Sequence, residues 1–258
     1  MSGILLLIQR ANMKENKESI IYGKHPVVDV IKSGKSLDQV MLQQGTRGDF
    51  EIELRHLCKE FNIPLKMVPK DRLNRVTLGN HQGVVALLSP ISYYKLEDVL
   101  PMIYENSKVP LILLLDGVTD VRNFGSIARS AECCGADAIV IPEKGTARIN
   151  ADALKTSAGA LSKIPICRVK TIQTAVEFLQ LSGIQVLASD LRGTKKIQEL
   201  DLTGPTAYII GAEDEGVSPH LLRKADDCFI IPQIGTTDSL NVAVATGIML
   251  YEVVRQRG

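Results

Sequence analysis

Two textures of apolar residues divide the chain. From residue 20 to 89, short apolar runs alternate with amphipathic stretches. Residues 26–33 read as a helix and 39–42 as a strand. Residues 50–61 repeat with helical period, with Ile52, Leu54, Leu57, Cys58 and Phe61 as the apolar face. Residues 64–68 and 84–88 read as short strands. From residue 111 the texture changes to continuous apolar runs, LILLL, AIVI, ICRV, VLAS, AYIIG and FIIP, separated by helical stretches. Apolar strands alternating with helices predict a parallel sheet covered on both faces. In such sheets ligands bind beyond the carboxyl ends of the strands. Residues 90–108 are polar and proline-punctuated, with one helix expected at 96–104, and read as a linker. The organisation expected is therefore a small α/β domain at 20–89, a linker at 90–108 and a larger α/β domain at 109–258.

The last strand, at 229–231, runs into Pro232 and a polar turn. Ser239 is a suitable N-cap for a terminal helix, in which Leu240, Val244, Ile248 and Tyr251 follow at helical spacing. Such a strand, turn and helix entry aims backbone N–H groups and short polar side chains at one point. Ile248, Met249 and Tyr251 give this helix more apolar surface than a lone terminal helix needs, which predicts a homodimer.

Composition narrows the function classes. Of 258 residues 45% are apolar, enough for a full core, and the net charge is +1. RNA binding would need local patches, and Arg122, Arg129, Arg192, Lys195 and Lys196 supply a candidate one. Aromatics make up 4% and Trp is absent, which weighs against a stacking platform for single strands. Five cysteines without a CxxC pair read as reduced, buried thiols in a cytoplasmic protein. Four scattered histidines give no metal site. The apolar run at 4–8 is too short for a signal sequence, and no run is long enough for a membrane span. Residues 12–19 read as a frayed terminus, with Met13 an alternative start.

Three loops carry candidate chemistry. In DGVTDVRNFGSIAR, a strand ends at Asp116 and a helix is expected to begin near Asn123. Asn123, Gly125 and Arg129 then stand at N-x-G-x-x-x-R spacing. Ile127, Ala131 and Cys134 form a separate apolar stripe, and Gly135 ends the helix. Taken singly, Asn123 is an N-cap and Arg129 a solvated cation. In GAEDEGVS, Gly211 at a strand end permits close backbone approach, with Gly216, Glu213 and Glu215 in the turn. Adjacent acids repel phosphate, so this loop is no phosphate cradle and suits a ligand of positive character. The third loop holds Ile231, Ser239, Leu240 and Asn241. A weaker signal is Asn80-His81-Gln82-Gly83, read either as a tight turn or as a polar tip touching a partner.

The motifs Asn123-x-Gly125-x-x-x-Arg129, Gly211-x-Glu213-x-x-Gly216, and Ile231-Pro232 with Ser239-Leu240-Asn241-Val242 together resemble the SpoU/TrmH branch of the SPOUT methyltransferases, over residues 109–256. Residues 20–89 resemble that family's substrate-binding domain, through Ile21-Tyr22-Gly23 and His81-Gln82-Gly83. The arrangement is most similar to the RlmB-type ribosomal RNA 2′-O-ribose methyltransferases. The resemblance implies an α/β catalytic domain with a C-terminal trefoil knot, S-adenosyl-L-methionine as cofactor, and a homodimer with the site near its interface. It assigns Arg129 to activation of a ribose 2′-OH, with Asn123, Glu213, Ser239 and Asn241 around it. Gly211, Gly216, Ile231 and Leu240 fall to the cofactor. The implied substrate is a guanosine of large-subunit ribosomal RNA. Transfer RNA, or a non-catalytic RNA-binding role on the same fold, remain the alternatives. A dinucleotide-dependent dehydrogenase is disfavoured because the glycine fingerprint is missing.

Overall fold

The computed structural model describes residues 20–258, apart from Arg192 and Asp238. The expectations for residues 4–8, 12–19 and Met13, and the Arg192 part of the basic patch, lie outside the described residues. The chain divides into two compact units, one through Pro90 and one from Ile91.

The first unit is a four-stranded sheet with helices on both faces. Its elements are β1 (Ile20–Tyr22), α1 (Lys24–Lys32), β2 (Leu37–Gln43), α2 (Asp49–Glu60), β3 (Leu65–Val68), α3 (Lys70–Val76) and β4 (Val84–Leu88). The strand order is β1-β4-β2-β3, with β4 antiparallel to both neighbours and β2 parallel to β3. Successive side chains leave a strand on opposite faces. Val40 and Leu42 therefore pack under Val27, Ile31, Leu54 and Leu57, while Met41 packs on the other face with Leu73 of α3. Two expected core positions of α2 differ. Ile52 is 67% exposed, and Phe61 lies past the helix end and is also exposed.

The second unit holds an eight-stranded, fully parallel sheet. Its elements are β5 (Tyr93–Tyr94), α4 (Leu96–Glu105), β6 (Leu111–Leu115), α5 (Val121–Cys133), β7 (Ala138–Pro142), α6 (Ala151–Thr156), β8 (Ile166–Val169), α7 (Ile172–Leu181), β9 (Gln185–Ser189), β10 (Lys195–Lys196), β11 (Thr206–Ile210), α8 (Pro219–Leu222), β12 (Asp227–Ile230) and α9 (Val242–Arg257). The order is β10-β12-β9-β11-β6-β7-β8-β5. Leu111, Leu113 and Leu115 face α5 and α9, whereas Ile112 and Leu114 face α4 and α7. Burial on both faces is what the unbroken apolar runs require.

Residues 90–108 are not a linker. Strand β5 pairs with β8, and α4 buries Leu96, Val99, Leu100 and Ile103 against the sheet. The prolines misdirect the reading because Pro101 sits inside α4 with its ring exposed, so four buried side chains offset its missing N–H.

Two helix starts also differ from expectation. Helix α5 begins at Val121, because the Asp120 carboxylate caps it by accepting from the N–H groups of Arg122 (2.9 Å) and Asn123 (2.8 Å). Helix α9 begins at Val242 and is capped by Asn241, not Ser239. On α9 the stripe through Val244, Ile248 and Tyr251 is exposed, while Val242, Met249, Leu250 and Val253 are buried. Met249 therefore belongs to the core and not to an outer apolar face. This helix is apolar nearly all round, so spacing alone could not choose its buried side.

Candidate active site

The site forms where the connections after β6, β11 and β12 meet, beyond the carboxyl ends of the strands. Asp116, at the end of β6, accepts through Oδ2 from the N–H of Ser218 (3.0 Å) and so ties the first connection to the second. The second connection is folded tightly on itself: Ala212 and Gly216 exchange backbone hydrogen bonds of 3.1 and 2.9 Å. A Cβ on Gly211 would lie 2.1 Å from the Gly216 carbonyl carbon, so only glycine fits there, and Gly216 itself has φ +67°.

Three predicted side chains meet across these connections. Asn123 Nδ2 donates to Glu213 Oε2 (2.7 Å). Asn241 Nδ2 donates to Glu213 Oε1 (3.0 Å) and lies 3.1 Å from Asn123 Oδ1. Asn241 also caps α9, its Oδ1 accepting from Ala243 (3.0 Å) and Val244 (3.4 Å). The cap fixes the oxygen and leaves the amide protons to aim at Glu213. Asn123 likewise has its backbone N–H held by Asp120, which spacing alone did not reveal as the helix start.

Beside this trio lies a cavity of about 460 Å³. Gly211, Gly216, Ile231, Ser239 and Leu240, all expected at the site, line it together with Glu213. Its wall also carries Asp190, Asp214 and Glu215 and, among the described residues, no lysine, arginine or histidine. Apolar cover comes from Ile210, Val217 and Met249 among others. A cavity rimmed by acids, part apolar and part neutral polar, with no cation among the described residues, suits a ligand combining an apolar part with positive charge and disfavours polyphosphate.

Gly125 and Arg129 stand apart from this cluster. A Cβ on Gly125 would come within 2.8 Å of Thr156 Cβ, so this glycine serves the close packing of α5 on α6. Arg129 is exposed, does not line the cavity, and has no ionic partner among the described residues. It shares a face of α5 with Arg122, two turns earlier and also exposed. Lys195 pairs with Asp227, and with Lys196 it forms the edge strand β10, where lysines also discourage strand addition. Among the described residues no cluster of His, Cys, Asp and Glu could hold a metal ion, and no helix is long and apolar enough to cross a membrane. All five cysteines are unbridged. Burial pushes the thiols of Cys58 and Cys167 up to about 12, whereas Cys133 is exposed, contrary to the expectation of uniformly buried thiols.

The fold and this loop cluster define a methyltransferase class, and the comparisons agree. The SpoU rRNA methylase family profile matches residues 110–251, and one for RNA 2′-O ribose methyltransferase substrate binding matches residues 20–94. A Bacillus subtilis protein named for the TrmH family of tRNA/rRNA methyltransferases is 32% identical, over 92% of this chain and 95% of its own. The AdoMet-bound rRNA methyltransferase from Sinorhizobium meliloti superposes with TM-score 0.59 at 26% identity, covering 94% of this chain and 90% of that one. The SpoU methyltransferase AviRb from Streptomyces viridochromogenes, solved with AdoMet, gives TM-score 0.58 at 25% identity, with 92% and 90% covered. The chain belongs to the SpoU rRNA methylase family and is an RNA methyltransferase.

Proposed function

We propose that the protein transfers the methyl group of S-adenosyl-L-methionine to a ribose 2′-OH of RNA, most specifically on a guanosine of large-subunit ribosomal RNA. The observation that carries this reading is the Asn123–Glu213–Asn241 set beside a cavity whose charged lining among the described residues is acidic. When bound, the cofactor supplies a methyl on a sulfonium, so the leaving group is neutral and already activated. The protein's tasks are then positioning and removal of one proton.

The chain's residues divide these tasks. Gly211, Gly216, Ile231 and Leu240 hold the cofactor, Gly211 by admitting the close backbone approach that a Cβ would block. Arg129 is a poor base, since a guanidinium stays charged above about pH 12. Its role is to clamp the phosphate beside the target ribose, lower the pKa of the hydroxyl and let the proton leave to that phosphate or to water. Its exposure and lack of an ion-pair partner among the described residues support this. Asn123 and Glu213 orient the ribose, and Ser239 and Asn241 fix the connection before α9. Arg122 extends the phosphate contact along α5.

Three further assignments belong to this reading. The functional unit is a homodimer joined through α9, whose exposed Val244, Ile248, Tyr251 and Val254 otherwise face water. The C-terminal segment forms a trefoil knot, a rare exception to ordinary connectivity. The jump from β11 across β9 to β12, followed by the return of α9 to the face that carries α5, is consistent with it. The protein works in the cytoplasm, where its thiols stay reduced.

Single-turnover methyl transfer to transcribed large-subunit ribosomal RNA, with mapping of the modified ribose, tests the reading. Methylation of transfer RNA alone would replace the substrate. Transfer to neither RNA, by folded protein that binds the cofactor, would refute it.

A further inference from the structure

The first unit has a cavity of its own, about 390 Å³, between α3 and the loop that leads into β4. Several of its side chains have their acceptors already used. His81 is buried, and its Nδ1 accepts from the N–H of Gly83 (3.0 Å). The ring proton therefore sits on Nε2, which donates to Asn74 Oδ1 (2.9 Å). Gln82 Oε1 accepts from the N–H of Lys24 (3.1 Å), and Thr77 Oγ1 accepts from the N–H of Gly79 (3.2 Å). Each of these side chains spends its acceptor inside the protein. Asn74 Nδ2, Gln82 Nε2 and the Thr77 hydroxyl proton remain to face a ligand as donors, beside the Lys70 ammonium and the amides of Gln43 and Asn80 in the same wall. Among the described residues the wall contains no carboxylate. At its rim Leu78 is 97% exposed, and Tyr22 lies so close to Gly79 that a Cβ there would come within 2.4 Å of the ring.

We propose that this cavity is a docking site for one unpaired nucleotide of the substrate RNA. Phosphate oxygens and base carbonyls bring acceptors for these donors and for the ammonium, the Gln43 and Asn80 amides can meet either kind of group on a base edge, and Leu78 covers the base. Unstacked nucleotides are the elements that RNA-binding proteins read by edge hydrogen bonds and apolar cover. The single ammonium suits one phosphate. The site rests on the reading of the protein as an RNA methyltransferase. It assigns the recruiting step to the loop of Leu78–Gln82, whose polar tip the sequence already marked.

Isosteric changes test it without disturbing the anchors. Asn74→Asp and Gln82→Glu each keep the oxygen that accepts from His81 or Lys24, and each turns the outward donor into an acceptor. Lys35→Gln makes the same change of one negative unit in net charge just before the opposite end of β2, about 20 Å or more away at roughly 3.3 Å per residue, and is the control. Binding of transcribed large-subunit ribosomal RNA is measured by titration, alongside the melting temperature and calorimetric affinity for S-adenosylmethionine. Kd for RNA should rise about tenfold or more for Asn74→Asp and for Gln82→Glu, a typical loss for one hydrogen-bonded contact, and change less than about threefold for Lys35→Gln. Melting temperature and cofactor affinity should stay at the wild-type values. RNA affinity within about twofold of wild type for both swaps would overturn the site while leaving the enzyme reading intact. An equal loss for Lys35→Gln would overturn it too, by reducing the effect to general charge. Failure of the wild-type protein to bind any RNA would instead remove the functional reading on which the site rests.

Discussion

The two ends of helix α9 serve opposite purposes. At its start, Asn241 turns a side chain out to Glu213 and Asn123, in an exposed cluster beside an open cavity. At its end, Arg257 turns back into the protein. Its Nε donates to Leu202 O (2.9 Å), Nη1 to Val109 O (2.8 Å), and Nη2 to Gly204 O (2.6 Å) and Pro110 O (3.3 Å). Gln256 adds bonds to Leu202 N–H (2.9 Å) and Leu200 O (3.1 Å). Nearby, Asp137 accepts from Leu111 N–H and from Lys108. The amino ends of the central strands are thus closed, with backbone carbonyls satisfied by half-buried side chains. At the carboxyl ends polar side chains satisfy one another, and the connecting loops border a cavity. On the proposed reading, stability sits at one end of the strands and chemistry at the other.

That division can be broken most severely at Gly211. Gly211→Ala would push a Cβ into the Gly216 backbone, costing about 2–3 kcal/mol or more, and the distorted loop should no longer bind S-adenosylmethionine in calorimetry. Arg129→Ala should separate the two ends cleanly. Methyl transfer falls about a hundredfold or more, as for an electrostatic catalytic group, while melting temperature and cofactor affinity hold. Arg129→Lys should not restore the rate, because a point charge lacks the planar fork. A single-turnover rate for Arg129→Ala within a few-fold of wild type would exclude it and leave Asn123 and Glu213 as candidates.

Arg257→Ala should do the reverse. Denaturant unfolding should show a loss of about 2–3 kcal/mol, since several carbonyls lose a charged donor. Single-turnover transfer measured well below the melting temperature should stay near wild type. A collapse of catalysis there would mean that the two ends are coupled. The smallest effect expected is at Glu252. Hydrogen bonds from Arg255 and then Gln256 hold its carboxyl below the ordinary value, and burial opposes them only in part. A lowered folded-state pKa contributes stability above the unfolded value, about 4.3 for glutamate, which is lost as pH falls through the folded one. Unfolding of Glu252→Gln should therefore show a modest loss of stability at pH 7 that narrows toward wild type as pH falls below about 4.3.

The sheet was legible because strands buried on both faces must be apolar throughout, and LILLL or AYIIG admits no other reading. Asn123, Glu213 and Asn241 were legible as a set through the family resemblance of their three motifs, since taken singly each passes for an ordinary cap or loop residue. What the sequence hid was local. Asp120 and Asn241, not Asn123 and Ser239, cap the two helices, since several short polar residues stand in a row at each entry and only geometry selects one. The segment 90–108 was misread because proline is a sound break signal in general, and here four buried side chains outweigh it. A chain shortened to begin at Ile91 should accordingly fold and bind cofactor, whereas one beginning at 109 should lose the cover that α4 gives the sheet. Comparing their far-ultraviolet dichroism and melting would check this.

Asn123 lies 90 positions from Glu213 and 118 from Asn241 along the chain. Contacts of such separation form late, because each requires closing a long loop before any interaction repays it. The trio is therefore a completion signal for folding. A chain whose final helix has not yet seated on α5 has no site to offer, and a cofactor that recognises the assembled rim binds finished molecules only. Through that selective binding the methyl donor would also act as the protein's own folding stabiliser, by an amount set by its concentration over its dissociation constant.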